Sequence, residues 1–196
     1  KNLITEISAV LSFSAIQNND KIGVILFSDR IEKFIPPQKG RKHILRIIRE
    51  LIEFTPQSHT TNISEALKYL TNAIKKRCTA FIISDFYDQD PKNYQMNYEE
   101  SLRIANNKHD VIGLQVYDKR ETQLPSIGLI KMKDAESGEY IWVDSSNKKI
   151  RKAFDEWWRI TSQNIKTAFS QAGVDYTYVA TDEDYVKPLI SLFKRR

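Results

Sequence analysis

The chain has 196 residues, a length that suits one domain with a sizeable hydrophobic core. It is 41% hydrophobic and 28% charged, and its net charge of +5 comes from scattered basic residues, so no nucleic-acid footprint is indicated. The single cysteine, Cys78, excludes an internal disulfide and a multi-cysteine metal site and predicts a reducing, cytoplasmic location. The sequence carries no signal-peptide pattern, and no apolar run approaches the ~20 residues of a membrane-spanning helix.

Strand-like and helix-like segments alternate along the chain. The predicted helices carry apolar residues at helical spacing, and the predicted strands are short apolar runs. The predicted helices cover residues 2–17, a segment after Gly40, a segment after Asn62, and residues 98–107, 147–173 and 185–193. The predicted strands cover residues 21–28, 31–35, 80–83, 110–117, 127–132, 139–143 and 176–180.

This alternation predicts an α/β fold of doubly wound type, with a mostly parallel sheet and helices on both faces. Residues 31–35 close at Pro36-Pro37, which indicates an antiparallel edge strand beside residues 21–28, because proline cannot donate to a ladder. The turn sequence Glu-Ser-Gly-Glu at residues 136–139 indicates an inserted surface β-hairpin. No linker, repeat or low-complexity tract divides the chain, so we expect one domain over residues 1–196.

Familiar catalytic and nucleotide-binding motifs are absent from the sequence. The six glycines are too dispersed for G-x-G-x-x-G or a phosphate-binding loop, and no G-x-S-x-G elbow occurs. His43, His59 and His109 are far apart, so we expect surface or loop residues rather than metal ligands. Cys78 begins a buried strand, where a packing role is expected. Catalysis has little support, and we expect a protein that is not an enzyme.

Two oxygen-bearing side chains stand where open α/β sheets place their ligands. Asp85 follows the apolar strand at residues 80–83, although it could instead only cap the following turn. Thr61 precedes a helix for which Asn62 and Glu65 form a capping-box pattern, which leaves the Thr61 hydroxyl for another use. A hydroxyl and a carboxylate suit a hard cation such as Mg²⁺.

Several runs of the sequence resemble motifs of von Willebrand factor A-like domains. They are residues 19–28 (N-D-K-I-G-V-I-L-F-S), residues 60–67 (T-T-N-I-S-E-A-L) and residues 82–85 (I-I-S-D). Further runs resemble one bacterial branch, domain of unknown function family 58, which is similar to proteins of Bacteroides-type aerotolerance operons. These runs are residues 109–113, 117–121, 124–125 and 136–139, so the resemblance covers nearly the whole chain.

The resemblance implies a doubly wound sheet with a metal ion-dependent adhesion site at its carboxyl edge. Thr61 would match the threonine of that site and Asp85 its aspartate. The family's densest ligand loop, D-x-S-x-S, belongs on a strand that here would precede Lys1, so we expect an N-terminally truncated domain. Asp144-Ser-Ser146 is a decoy for that loop, because it follows a hairpin and Lys148 replaces the final serine. Mg²⁺ is therefore expected in the intact protein, whereas this chain has too few oxygen ligands to hold it firmly.

The absent strand would lie in the middle of the sheet, between the strands at residues 21–28 and 80–83. Either these strands pair with each other, or another segment or chain fills the slot between them. An empty slot would leave two rows of backbone hydrogen-bonding groups without partners, which is costly in a buried sheet.

Three hypotheses from different classes follow from the sequence. The first is a non-enzymatic protein-binding module in which Mg²⁺ recruits a partner's carboxylate; the resemblance implies a MoxR-type AAA+ ATPase as partner, in a stress or assembly role. The second is a doubly wound enzyme or signalling domain with Asp85 as phospho-acceptor or hydrolase carboxylate, for which Asp88 and Asp118 are the other acids at hand. The third is a purely structural domain whose site is inactive.

Overall fold

The computed structural model describes residues 2–133 and 139–195. Its helices are α1 (Asn2–Gln17), α2 (Arg41–Glu53), α3 (Ile63–Ala73), α4 (Glu99–Lys108), α5 (Lys148–Gln171) and α6 (Val186–Lys194), with a short 3-10 helix at Lys119–Glu121. Its strands are β1 (Ile22–Phe27), β2 (Ile31–Gln38), β3 (Thr79–Ser84), β4 (Asp110–Tyr117), β5 (Leu129–Lys133), β6 (Tyr140–Asp144) and β7 (Asp175–Ala180). The predicted helices and strands are confirmed, with their ends shifted by one to three residues.

The centre of the molecule is a parallel sheet of three strands in the order β3-β4-β7. Side chains on a strand alternate between the two faces of a sheet, so a strand covered on both faces is apolar throughout. On β4, Val111 packs into the core on one face, whereas Ile112 and Leu114 pack into the core on the other. The continuous apolar run of β4 is therefore explained by helices on both sides.

Each face of this sheet has its own set of helices. Helices α3, α4 and α5 cover one face, where the Phe169 side chain of α5 is only 1% exposed. Helices α1 and α6 cover the other face through Ile7 and Leu192. Gly113 of β4 leaves room for Phe169, because a Cβ built on that glycine would lie only 2.3 Å from the phenylalanine ring. The predicted class, α/β with a parallel sheet between helices, is confirmed.

Strands β1 and β2 form a separate antiparallel pair. The predicted end of β2 before the proline pair is wrong, since the strand continues through Pro36 and Pro37 to Gln38. An edge strand tolerates proline because its outer side needs no donor. Gly23 makes the close approach possible: a Cβ there would lie 2.9 Å from the Pro37 nitrogen.

Strands β1 and β3 do not pair with each other in the described part of the chain, so the first of the two alternatives predicted for the slot is wrong. Among the described strands, β1 pairs with β2 alone, and β3 pairs with β4 alone. The two strands share a core, because Phe27 of β1 packs against the cluster that contains Ile82 of β3. They therefore border a common interior without forming a ladder with each other, and each presents one unpaired strand edge.

Strands β5 and β6 form a third, two-stranded sheet, as the hairpin prediction requires. The greater part of the predicted Glu-Ser-Gly-Glu turn lies outside the described residues. The surface prediction for histidines is wrong at two positions: His43 is 7% exposed and bonds Ile22 O at 2.8 Å, and His109 is fully buried. Neighbouring elements cover both rings, whereas His59 is exposed. No helix among residues 2–133 and 139–195 is long and apolar enough to cross a membrane.

Candidate functional site

Asp85 begins a tight turn at the carboxyl end of β3. Its Oδ1 accepts hydrogen bonds from Tyr87 N (3.2 Å) and Ser84 Oγ (3.3 Å), so the turn-capping role is real for one carboxylate oxygen. Phe86 has φ of 63°, a left-handed conformation that is uncommon for a bulky residue. This backbone sends Phe86 into the core, where it is fully buried, and leaves Asp85 exposed. Such conformations persist where surrounding packing enforces them, often at functional sites.

A buried polar pair on the neighbouring strands holds the Asp85 main chain from behind. Gln115 of β4 is 4% exposed and donates from Nε2 to Asp85 O at 2.9 Å. The Tyr176 hydroxyl on β7 donates in turn to Gln115 Oε1. Three adjacent strands therefore fix the position of Asp85, which pre-organises its exposed carboxylate.

The N-terminus of α3 ties the ends of β1 and β3 to one place. Ser28, directly after β1, accepts a hydrogen bond at its carbonyl from Asn62 N (2.9 Å). Asp88, shortly after β3, accepts one at Oδ2 from Ile63 N (2.8 Å). The carboxyl ends of β1 and β3 therefore lie close to the same helix end. The Asn62 cap is confirmed, with its Oδ1 accepting from Glu65 N at 2.9 Å.

Thr61 and Asp85 lie on the two neighbouring loops that this arrangement brings together. Thr61 immediately precedes Asn62, and its half-buried hydroxyl has no hydrogen-bond partner among the residues that the structure describes. Asp85 stands three residues before Asp88, and its Oδ2 accepts no bond from any described residue. Both predicted ligands thus retain an available oxygen at the carboxyl edge of the sheet.

A second Ser-Asp pair lies on the other side of the slot. Ser28-Asp29 follows β1 as Ser84-Asp85 follows β3, and in both pairs the serine Oγ donates to the aspartate Oδ1 (3.1 Å and 3.3 Å). Hydrogen bonding and charge from Arg30 hold the pKa of Asp29 below its ordinary value. Sequence reasoning missed Asp29, although the repeated strand-Ser-Asp pattern is a signal that could have found it.

The hydroxyl-rich loop before α3 completes this rim. Its backbone is fastened to β2 by Glu32, whose two carboxylate oxygens accept from Gln57 N at 2.9 and 3.0 Å. Within the loop, Ser58 Oγ and Thr60 Oγ1 lie 2.9 Å apart. The loop therefore presents several oxygen atoms beside Thr61 on a backbone that is tied down at both ends.

Asp88 and Asp118, the other acids named in the enzyme hypothesis, each bond to neighbouring residues. Asp88 is 7% exposed, and besides Ile63 N it accepts from Asn97 Nδ2 at 2.8 Å. Asp118 caps the 3-10 helix and pairs with the Arg120 guanidinium at 3.1 Å. Both carboxylates are therefore held by hydrogen bonds or an ion pair to described residues.

Glu121 is a further carboxyl group near Asp85. Desolvation raises the pKa of Glu121, and the negative charges of Asp85 and Asp118 add to the rise. A cation placed between these groups would relieve their mutual repulsion. No group of three or more histidine, cysteine, aspartate or glutamate side chains within the described ranges is arranged to hold a metal by itself.

Comparison with protein families identifies the chain. The model of the family described as "Protein of unknown function DUF58" matches residues 1–164. The chain belongs to the DUF58 family. A curated relative, an uncharacterized protein of Mycobacterium tuberculosis, is 22% identical over 198 residues, which are 100% of this chain and 60% of the relative. An uncharacterized protein of Mycobacterium avium is 24% identical over 167 residues, which are 83% of this chain and 93% of that protein.

Solved structures support the same fold for this DUF58 chain. BatB from Bacteroides thetaiotaomicron superposes with a TM-score of 0.56 at 17% identity, over 97% of this chain and 87% of that one. An aerotolerance-related membrane protein from Bacteroides fragilis gives a TM-score of 0.56 at 14% identity, over 98% of this chain and 89% of that one. At these identities the likeness concerns the fold. The DUF58 chain spans 60% of the length of the Mycobacterium tuberculosis relative.

At the opposite edge of the sheet, the DUF58 chain contains a pair of sulfur and nitrogen groups. Cys78 Sγ lies 3.4 Å from His109 Nδ1. Burial raises the pKa of the Cys78 thiol, and burial, with help from Lys108 and Arg77, lowers the pKa of His109. Both groups are therefore neutral near pH 7, which fits the packing role expected for Cys78 rather than a reactive thiolate.

Proposed function

We propose that this protein is a non-enzymatic protein-binding module of the von Willebrand factor A type. In this proposal the carboxyl edge of the sheet holds Mg²⁺ with Thr61 and Asp85, and the ion recruits a carboxylate of a partner protein. The activity and partners of the whole protein are part of this proposal.

The observation that carries the proposal is the gathering of two strand ends at one helix N-terminus. Ser28 and Asp88 both accept hydrogen bonds from the first residues of α3. This brings together the loops of Thr61 and Asp85 and leaves the unpaired edges of β1 and β3 on either side. A strand entering the slot parallel to both would deliver its own carboxyl-terminal loop to the same place.

The donors present fit Mg²⁺ in kind but not in number. A threonine hydroxyl and a carboxylate oxygen are hard ligands, and Mg²⁺ keeps several waters when it binds few protein groups. It nevertheless requires near-octahedral geometry, and two protein ligands hold it weakly. We therefore assign the remaining ligands to the loop that would follow a strand inserted between β1 and β3, because the family resemblance implies a D-x-S-x-S loop there.

The proposed partner is a MoxR-type AAA+ ATPase, which rests on the family resemblance alone. The Bacteroides fragilis structure is described as an aerotolerance-related membrane protein. By analogy we place the present protein in a stress or assembly role. An exposed Asp85 beside oxygen-rich loops supports recruitment of an acidic side chain through a shared ion, because the ion would bridge two groups that otherwise repel each other.

The test measures Mn²⁺ binding by calorimetry with a strand supplied in trans. The probe is a synthetic peptide with an apolar strand followed by Asp-x-Ser-x-Ser, added to the chain as it exists. We expect weak binding by the chain alone and at least about tenfold tighter binding by the mixture. Asp85→Ala should abolish the gain, because the carboxylate is the strongest ligand that the chain contributes.

The matched control is Asp144→Ala, which alters an exposed aspartate in the decoy Asp-Ser-Ser sequence. Its Mn²⁺ affinity should equal that of the unmodified chain. If Asp85→Ala binds Mn²⁺ as tightly as the parent chain in the presence of the peptide, the metal assignment is wrong. Protection of β1 and β3 amides from hydrogen exchange by the peptide would show separately that the strand enters the slot.

A further inference from the structure

The two helical layers that cover the parallel sheet differ on their outer sides. Helices α1 and α6 lie on one face, and α2 packs against α1. These three helices expose seven large apolar side chains to 40–59%: two on α1 (Val10 and Phe13), two on α2 and three on α6. Helices α3, α4 and α5 on the other face expose only Ile104 and Ile150 among the large apolar residues that the structure describes. One outer surface is therefore much more apolar than the other.

The exposed apolar residues of α2 form a stripe that points away from the protein. Leu45 (50% exposed) and Ile52 (59% exposed) are about two turns apart, so they lie on the same side of the helix. The opposite side of α2 packs into the molecule through His43, Ile44 and Ile47, which are at most 7% exposed. The stripe therefore has no cover from the described part of the chain.

Basic side chains surround this stripe. Arg41, Lys42, Arg46 and Arg49 are all exposed, and none of them forms a salt bridge with a described residue. The exposed acid on α2 is Glu53. The outer side of α2 is thus both apolar and positively charged.

Helix α6 repeats this combination. Val186, Ile190 and Phe193 recur at helical spacing and are 45–49% exposed. Lys187 and Lys194 stand beside the two ends of this stripe, and the helix contains no acidic residue. Two helices of the same layer therefore present apolar side chains flanked by positive charge.

The charge and composition of this surface decide between possible partners. A two-fold contact through α2 with a second copy would bring like charges together, which is unfavourable. Nucleic acid would match the basic groups but would place Leu45 and Ile52 against phosphates. A peptide helix needs an apolar groove, whereas the cavity of about 340 Å³ beside Ile52 is lined otherwise by Asn2, Thr5 and Glu6. An anionic lipid bilayer needs no groove, and it offers phosphates to the basic groups and acyl chains to the apolar ones.

We propose that the outer surface of α1, α2 and α6 binds an anionic lipid bilayer. Helix α2 lies in the headgroup layer with Leu45 and Ile52 toward the acyl chains, and its four exposed basic side chains reach the lipid phosphates. Because the exposed apolar area is small and the attraction is electrostatic, binding is reversible and weakens as salt rises. The contact uses neither Thr61 nor Asp85, so it does not depend on the proposed metal site.

Flotation with lipid vesicles tests the proposal on the whole chain. One set of vesicles contains phosphatidylcholine alone, and the other contains equal parts of phosphatidylcholine and phosphatidylglycerol. We expect the chain to float with the anionic vesicles and not with the neutral ones, and the bound fraction to fall with added salt. Leu45→Glu and Arg46→Glu should each weaken binding at least about fivefold, because each places a negative charge against the anionic surface.

Each variant has a matched control on the opposite helical layer. Ile104→Glu changes an α4 side chain that is 51% exposed, against 50% for Leu45, and Arg103→Glu makes the same change of charge as Arg46→Glu. Both controls should bind anionic vesicles as the parent chain does, and circular dichroism should show one fold for all variants. In a Cys78→Ser background, an environment-sensitive fluorophore on Leu45→Cys should shift to the blue on anionic vesicles, whereas one on Ile104→Cys should not.

Three results would overturn the proposal. The first is a chain that does not float with anionic vesicles at low salt. The second is an equal loss of binding in a variant and its control, since the net charge of +5 and not this surface would then attract the lipid. The third is a loss with Arg46→Glu but full binding with Leu45→Glu, which would indicate a site for a soluble polyanion such as nucleic acid or an acidic protein.

Discussion

The parallel sheet and the β5–β6 hairpin are built from similar apolar strands but have opposite surroundings. β4 buries side chains on both faces under five helices, α1 and α3–α6, and β3 packs its apolar side chains against the same two layers. β5 and β6 leave Leu129, Ile141 and Trp142 more than half exposed. An apolar strand sequence therefore predicts that a strand will be covered, but it does not say by what. In the sheet the cover is the chain's own helices, whereas the hairpin side chains stay exposed in the described part of the chain.

The largest expected contrast is between an aromatic residue in the sheet core and one on the hairpin. Phe169→Ala removes a side chain that lies 4.8 Å from the Phe86 ring and fills the space over Gly113. The free energy of unfolding should fall by about 3–5 kcal/mol. Trp142→Ala should change it by about 0.5 kcal/mol or less, because the Trp142 side chain is 65% exposed. Urea titration of both variants measures the contrast, and equal losses would contradict it.

The next effect concerns the carboxyl edge of the sheet, where the buried Asp88 carboxylate links β3 to α3 by hydrogen bonds. Asp88→Ala leaves Ile63 N and the Asn97 amide without their acceptor, so we expect a loss of about 2–3 kcal/mol. Asp118→Ala is the control, because its carboxylate caps only a three-residue helix, and its loss of stability should be smaller. A loss of Asp88 no greater than that of Asp118 would show that the link between β3 and α3 is unimportant for stability.

The sequence alone predicts the elements of the sheet better than their assembly. Short apolar runs identified β3 and β4, because strands covered on both faces are apolar at most positions. The assignment of Thr61 and Asp85 as metal ligands stays a prediction, and the sequence analysis did not single out Asp29, whose position depends on β1 lying beside the same helix end as β3. It also misplaced His43 and His109 at the surface, because burial of a single polar ring depends on tertiary neighbours that no local pattern encodes.

A smaller effect is expected at the base of the hairpin. Ser145→Ala removes the hydroxyl that bonds Gly128 O and Ile127 N. The local cost should be about 1–2 kcal/mol. Because the hairpin opens without exposing the sheet core, amides of β5 and β6 should exchange faster while those of β4 keep their protection. Hydrogen exchange with mass spectrometry measures this, with Ser162→Ala on α5 as control. Faster exchange in β4 as well would show that hairpin and sheet open as one unit.

The smallest effect is a pH dependence of stability that arises from His109, directly before β4. Burial lowers the pKa of His109, so the folded chain binds a proton less readily there than the unfolded chain, whose imidazole titrates near pH 6.5. The unfolded state therefore gains protons first as the pH falls below about 6.5, and the free energy of unfolding decreases until the folded pKa is passed. Above about pH 6.5 both states are neutral at this site, and the contribution to the slope vanishes.

His109→Gln should flatten the change in melting temperature between about pH 6.5 and 5, whereas His59→Gln, on an exposed loop, should leave it unchanged. Equal slopes for the parent chain and His109→Gln would mean that the buried ring does not couple folding to protonation.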